Sequence, residues 1–378
     1  MRILTSKKHR LGSAVLSSVA VLALASGSVT PAVAADAPLV YFMIPNTTPT
    51  RYIQQDAPDF ASSLKKLDPT AKVVFVNAGG SSATQLSQAQ TAIAAGAKAL
   101  VVVAADPSTS AGLLQAAAAA KVPVIGYENP PINGPVTAQV QFDPLNAGQV
   151  QGKYFAQQVA KGSFGKTPVR ISRLYGNKGD VYTTQMLKGQ NQYISPLIKS
   201  GKIKVVCQDY VKNWDPAEAQ KNMDQCLTKT QGKVRAVLGF YDGITAGAIA
   251  SIKARKLSGK IAVYGGQNPE LSGLQYMLTG DQQDEVIKAF PAEASIAAQL
   301  VFALINGKPL PTKLITTSVN NGAVNVPTAI VPVEYIHTAK GVDVGTLVQK
   351  AVDYGMFTWK DICTGVAAKT ATCKAKNH

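Results

Sequence analysis

The side chains able to bind or to react collect in six short segments: 45–52, Tyr127-Glu128-Asn129, 176–182, Asn213-Trp214-Asp215, Tyr241-Asp242 and Gln267-Asn268. They are rich in aromatic rings and hydrogen-bonding groups and contain no histidine. None carries a dinucleotide-binding glycine pattern, a P-loop, a G-x-S-x-G elbow or an H-E-x-x-H motif. Hydrolysis of a glycosidic bond needs two carboxyls facing each other across a cleft, and Glu128 with Asp180 is the only pair placed to attempt it. The expectation is recognition without turnover, with no cofactor and no metal. Cys207, Cys226, Cys363 and Cys373 lack a C-x-x-C spacing, and beside only three histidines they read as two disulfides rather than a metal site. Lys288, inside the apolar run Val286-Ile287-Lys288-Ala289-Phe290, needs a carboxylate or a polar guest beside it, because an unpaired buried ammonium is costly.

The elements that must position these segments alternate in a regular rhythm. Short β-branched apolar runs at 39–44, 73–77, 99–104, 124–127, 138–142, 169–175, 203–211, 236–241 and 261–265 are separated by helical patterns, which is the signature of parallel sheets covered on both faces. Two sheets are implied. In 82–95, Leu86, Ala89 and Ile93 share one helical face and Gly96 ends the helix. Asp215-Pro216-Ala217-Glu218 is a helix start, with Asp at the N-cap, Pro at the first helical position and Glu at the third. The six polar segments all follow strands, where open parallel sheets place their ligand crevice. The strand at 203–211 and the helix at 216–229 also set the cysteine pairing. Cys207 lies roughly 13 Å before the strand end, and Cys226 roughly 16 Å beyond the helix start. The depths match, so Cys207 pairs with Cys226 and Cys363 with Cys373.

The chain has 378 residues, long enough for two domains with their own cores. At 46% hydrophobic and 16% charged residues it is too apolar for disorder. Its net charge of +16 is spread through strand and helix patterns, with no arginine run and no basic-aromatic groove signature, so it reads as a solvated surface rather than a nucleic-acid site. Residues 1–34 have a basic start (Arg2, Lys7, Lys8, Arg10), an apolar stretch at 14–25 and the ending Ala32-Val33-Ala34. This is an export signal, too short to span a bilayer. The mature protein is expected to be secreted, periplasmic or extracellular, where an even cysteine count favours disulfides.

As an ordered set, several segments resemble a known family. Thr84-Gln85-Leu86-Ser87-Gln88, Ser200-Gly201-Lys202-Ile203, Trp214-Asp215-Pro216, Ala246-Gly247-Ala248-Ile249, Leu257-Ser258-Gly259-Lys260, Gly266-Gln267 and Asn320-Asn321-Gly322 are similar to periplasmic sugar-binding proteins of the ribose/galactose/xylose class, nearest its xylose-binding branch. The likeness runs from about residue 40 to about residue 334. It implies an α/β fold of two Rossmann-like lobes with parallel sheets, joined by three hinge crossings. By this analogy 36–142 and 268–306 form the N-terminal lobe, 143–267 and 307–336 the C-terminal lobe, and 337–378 an extension held by the second disulfide.

The resemblance also assigns roles. Arg51-Tyr52 matches the family's Arg-Trp pair and Trp214 its ring on the opposing lobe, so Tyr52 and Trp214 would sandwich a sugar. Arg51, Asn129, Asn268 and Lys288 would bond its rim, with Glu128, Asp180, Tyr182 and Tyr241 as further candidates. Asp242 is expected to cap the helix it heads. The implied partners are a small sugar and an ABC permease in the membrane, with a monomeric receptor and no nucleic acid. A repressor of the same bilobed core would carry an N-terminal helix-turn-helix where this chain has an export signal. The family commonly has Asp-Arg in place of Glu128-Asn129, Asn in place of Tyr241 and Asp in place of Asn268. These departures leave open which aldose, sugar derivative or other polar molecule fits.

Overall fold

A computed structural model describes residues 37–376, so the export-signal reading lies outside the described residues. Thirteen strands run in chain order: β1 (Leu39–Ile44), β2 (Lys72–Asn77), β3 (Ala99–Val102), β4 (Val124–Tyr127), β5 (Ala138–Phe142), β6 (Val169–Tyr175), β7 (Ile203–Tyr210), β8 (Ala236–Gly239), β9 (Ala262–Tyr264), β10 (Asp284–Lys288), β11 (Thr317–Asn320), β12 (Asn325–Val331) and β13 (Val333–His337). The first sheet has the order β11-β12-β5-β4-β3-β1-β2, parallel except at β11. The second runs β7-β6-β8-β9, all parallel. Single bridges from Val263 to Gln282 and from Gln267 to Val286 continue it to β10, against which β13 lies antiparallel.

In each sheet the first strand has its successor on one side and the third strand on the other. The order therefore reverses beside β1 and beside β6, and a crevice opens at the strands' carboxyl ends. Central strands of both sheets are buried on both faces, as parallel sheets covered by helices must be. Two helices of the second lobe, Pro144–Ala160 and Val181–Lys199, approach so closely that a Cβ on Gly148 would stand 2.0 Å from the Met186 carbonyl oxygen. A Cβ on Gly189 would stand 2.1 Å from that of Leu145. Both cysteine pairs form as the sequence predicts, Cys207 with Cys226 and Cys363 with Cys373.

Strand membership corrects the expected domain boundaries. The chain leaves the first sheet after Phe142, but residues 268–288 stay with the second lobe: helix Leu271–Thr279 packs on helix Asp242–Ala254, and β10 extends the second sheet. It returns to the first lobe through helix Phe290–Ile305 and then β11 and β12, the latter pairing with β5. The second crossing is thus at 288–290, not at Gln267-Asn268. The third is at 331–333, not at Asn306-Gly307. An apolar strand pattern states that a segment is buried, not beside which neighbour.

The C-terminal segment lies across both lobes. Gln55, in a wide π turn Tyr52–Asp56 of the first lobe, donates through Nε2 to the Met356 carbonyl at 2.8 Å. Gln275, in the second lobe's helix Leu271–Thr279, donates to the carbonyls of Ile362 and Thr364. Trp359, Ile362 and Cys373 of this strap are buried.

Candidate functional site

Seven of the ten expected site residues, Tyr52, Glu128, Asn129, Asp180, Tyr182, Trp214 and Asn268, line one small cavity between the lobes, joined by Pro49 and Gln267. Each arrives from the end of a strand. Tyr52 follows β1, Glu128 and Asn129 follow β4, Asp180 and Tyr182 follow β6, Trp214 follows β7, and Gln267 and Asn268 follow β9. Four residues here hold left-handed backbone: Glu128 (φ 54°), Asn213 (φ 55°), Trp214 (φ 57°) and Asn268 (φ 60°). Non-glycine residues enter that region at a cost, and such strain is kept where it aims a side chain into a site.

The Trp214 ring is fixed by three neighbours. Its Nε1 donates to Asp180 Oδ2 at 2.8 Å, and Tyr241 meets it edge-on with centroids 6.1 Å apart. On a third side it presses on Gly176, where a Cβ would lie 2.1 Å from Trp214 Cη2. Burial holds the Asp180 carboxyl above its usual range, against the bond from Trp214. Tyr182 donates its hydroxyl to Gln267 Oε1 at 2.8 Å.

Below the cavity lies a buried ionic cluster. The Arg51 guanidinium donates to Asp56 through Nε (2.6 Å) and Nη2 (2.7 Å), to Glu293 Oε2 (2.5 Å), to Glu128 Oε1 (3.2 Å) and to Asn268 Oδ1 (3.2 Å). Its Cζ sits 3.8 Å from the centre of the Phe290 ring. Lys288 Nζ donates to the same Glu128 Oε1 at 2.6 Å and lies 4.1 Å from the Tyr182 ring centre. Two cations thus meet three carboxylic groups, all buried.

Charge balance decides where the remaining proton sits. Burial pushes Glu293 well up, and the neighbouring Glu128 pushes it further. Burial works the same way on Glu128, but Lys288 and Arg51 outweigh it and hold that group below its ordinary value. Of these two, Glu293 is the one favoured to hold a proton and Glu128 to be charged; burial also raises Asp56, against its bonds from Arg51 and Tyr127. A proton on Glu293 accounts for Glu128 Oε2 and Glu293 Oε1, which have no other protein partner, because the acid proton can lie between them. Lys288 is pulled down to about 8 by burial, with Glu128 opposing.

Three expectations need correction. Arg51 and Lys288 stand behind the cavity wall rather than in it: Arg51 donates to the lining residues Glu128 and Asn268 and to Asp56 and Glu293 below, and Lys288 donates to Glu128. Tyr241 stands behind Trp214 and donates to Glu270 Oε1 at 2.6 Å. Asp242 does not cap its own helix; its Oδ2 accepts from the Glu270 backbone N–H at 2.6 Å and pins that loop. Sequence reasoning missed Asp56 and Glu293, and it reached Pro49 and Gln267 only as members of the segments 45–52 and Gln267-Asn268, without a role. For Glu293 the available signal was an acidic residue in an apolar helix.

The cavity's own polar atoms are neutral or anionic. Asn129 donates to the Ala104 carbonyl at 3.3 Å, leaving its buried Oδ1 without a protein donor. Asp180, Asn268 and Gln267 line the same cavity, as do the aromatic side chains of Tyr52 and Trp214.

Residues 40–309 match the periplasmic binding protein domain family. The D-xylose-binding periplasmic protein of Escherichia coli (strain K12) is 29% identical over 280 residues, covering 73% of this chain and 80% of that protein. The multiple sugar-binding periplasmic protein of Azospirillum brasilense is 30% identical over 355 residues, covering 90% of this chain and 95% of its own length. Among solved structures, an ABC transporter solute binding protein from Clostridium phytofermentans with bound beta-D-glucose superposes with a TM-score of 0.75 at 24% identity, covering 86% of this chain and 99% of that one.

Proposed function

The chain belongs to the periplasmic sugar-binding proteins of the type I binding-protein fold, and from that premise we propose that it captures an uncharged monosaccharide of the aldose class between its lobes for delivery to an ABC importer. The observation that carries the reading is the electrostatic state of the cleft. Both cations near the cavity are consumed by carboxylates of the protein, so an anionic guest finds no free counter-charge. A polyol suits what remains: flat rings from opposite lobes for its apolar faces, and amide and carboxyl groups for its rim.

The cavity encloses about 40 Å³, room for roughly three waters. A sugar ring therefore enters only after the lobes part about their three crossings, the hinge motion by which periplasmic binding proteins close around their ligands. The identity of the sugar depends on Glu128, Asn129 and Asn268, because discrimination rests on pairing each buried polar group. Asp180 and Glu128 are occupied with Trp214 and with Lys288 and Arg51, which fits capture without hydrolysis.

Thermal unfolding of the mature protein against pentoses, hexoses, sugar acids and common polar metabolites tests this. A neutral aldose should raise the melting temperature in a concentration-dependent way, since it binds only the folded state. A shift with sugar acids alone, or with no carbohydrate at all, would refute it.

A further inference from the structure

A second concavity lies at the opposite end of the second lobe, beside the amino ends of its parallel strands. It has a volume of about 840 Å³, within the range that takes small-molecule ligands. Four cationic side chains converge on it from distant parts of the chain. Lys161 ends helix Pro144–Ala160, Arg235 precedes β8, Lys260 precedes β9 and Lys340 follows β13. None of the four is paired with a carboxylate among the described residues. The acid within the concavity, Asp281, is engaged by Lys253 at 2.7 Å. One wall is the stacked pair Tyr154 and His337, with ring centroids 4.1 Å apart.

We propose that this concavity is a binding site for a small, multiply charged anion bearing phosphate groups, separate from the sugar cleft. Unpaired cations on one concave surface repel one another and focus a positive potential into it. A guest with two or more negative charges relieves that repulsion, and the Arg235 guanidinium offers the planar fork that suits phosphate oxygens. The cleft is the reverse case, with every nearby cation already neutralised. The two sites therefore select opposite chemistries on one chain.

The test is calorimetric titration of the mature, disulfide-intact protein with pyrophosphate, alongside the double variant Arg235→Glu, Lys260→Glu. Both residues are exposed and remote from the cleft. The expected result is saturable binding of one pyrophosphate per chain that weakens as salt is raised. In the variant it should weaken by about tenfold or more, as loss of charge-assisted hydrogen bonds implies. The variant's melting temperature and its response to sugar should match the parent's. Absence of saturable binding overturns the proposal, and so does binding that survives the charge reversal. Association with phosphatidylglycerol vesicles but not with pyrophosphate also overturns it, because surface charge and not the concavity would then be responsible.

Discussion

The proton assignment beneath the cleft predicts that two buried glutamates of the same cluster respond very unequally to the same substitution. Arg51 and Lys288 are opposed by Asp56, Glu128 and Glu293, so one proton must remain on the acids if the cluster is neutral. Glu293→Gln replaces a neutral acid by a neutral amide of the same size. It should cost less than about 1 kcal/mol, since the Arg51 bond can pass to the amide oxygen. Glu128→Gln leaves Lys288 and Arg51 facing each other with one counter-charge fewer, and breaking a buried pair in this way costs about 3–5 kcal/mol. Urea unfolding of the two variants and the parent at neutral pH measures the difference. The pH dependence has a definite sign. Glu293 binds its proton more tightly folded than unfolded, so its contribution to stability is full below its ordinary value of 4.5 and is lost as pH rises towards the folded value. Glu293→Gln should therefore flatten the decline of stability above pH 4.5. Equal losses from both substitutions, or an unchanged pH profile in Glu293→Gln, would show that Glu293 is an anion and that the charge count is wrong.

Other outcomes follow from the packing. Tyr52→Ala and Trp214→Ala should each weaken sugar binding about tenfold to a hundredfold, the equivalent of ~1.5–3 kcal/mol of apolar burial, as read by calorimetry. Trp214→Ala should also release Asp180, whereas Trp214→Phe should keep much of the affinity but lose the bond to that carboxylate. Gly148→Ala drives a methyl into the Met186 carbonyl and should lower stability by about 1–3 kcal/mol in denaturant titration. Removing the Cys207–Cys226 bond, which spans 19 residues of sequence, should cost about 3 kcal/mol by the same assay. Opening Cys363–Cys373 should chiefly raise hydrogen exchange in the C-terminal strap that joins Gln55 to Gln275.

The alternation of β-branched runs with capped amphipathic helices determined the lobes' α/β character, because burial on both faces and helix termination are local demands written in residue type. It also located the polar strand ends, and hence Tyr52, Glu128, Asn129, Asp180, Tyr182, Trp214 and Asn268, since a parallel sheet offers its ligand crevice in that one place. The apolar setting of Lys288 was enough to require a neighbouring charge, and the structure supplies Glu128.

Other properties depended on which distant segments meet. Strands β10 and β12 are both largely buried, yet hydrogen-bond pairing sends β10 to one lobe and β12 to the other. Arg51 is polar and adjacent to Tyr52, but Asp56 and Glu293 draw its guanidinium under the cavity instead of into it. Lys161, Arg235, Lys260 and Lys340 are ordinary surface cations along the chain and become one field only where the ends of their elements converge. Residue type sets what a side chain requires; tertiary contacts decide whether the protein or a guest satisfies it, because charge and hydrogen bonding act through space at a few ångströms and not along the backbone.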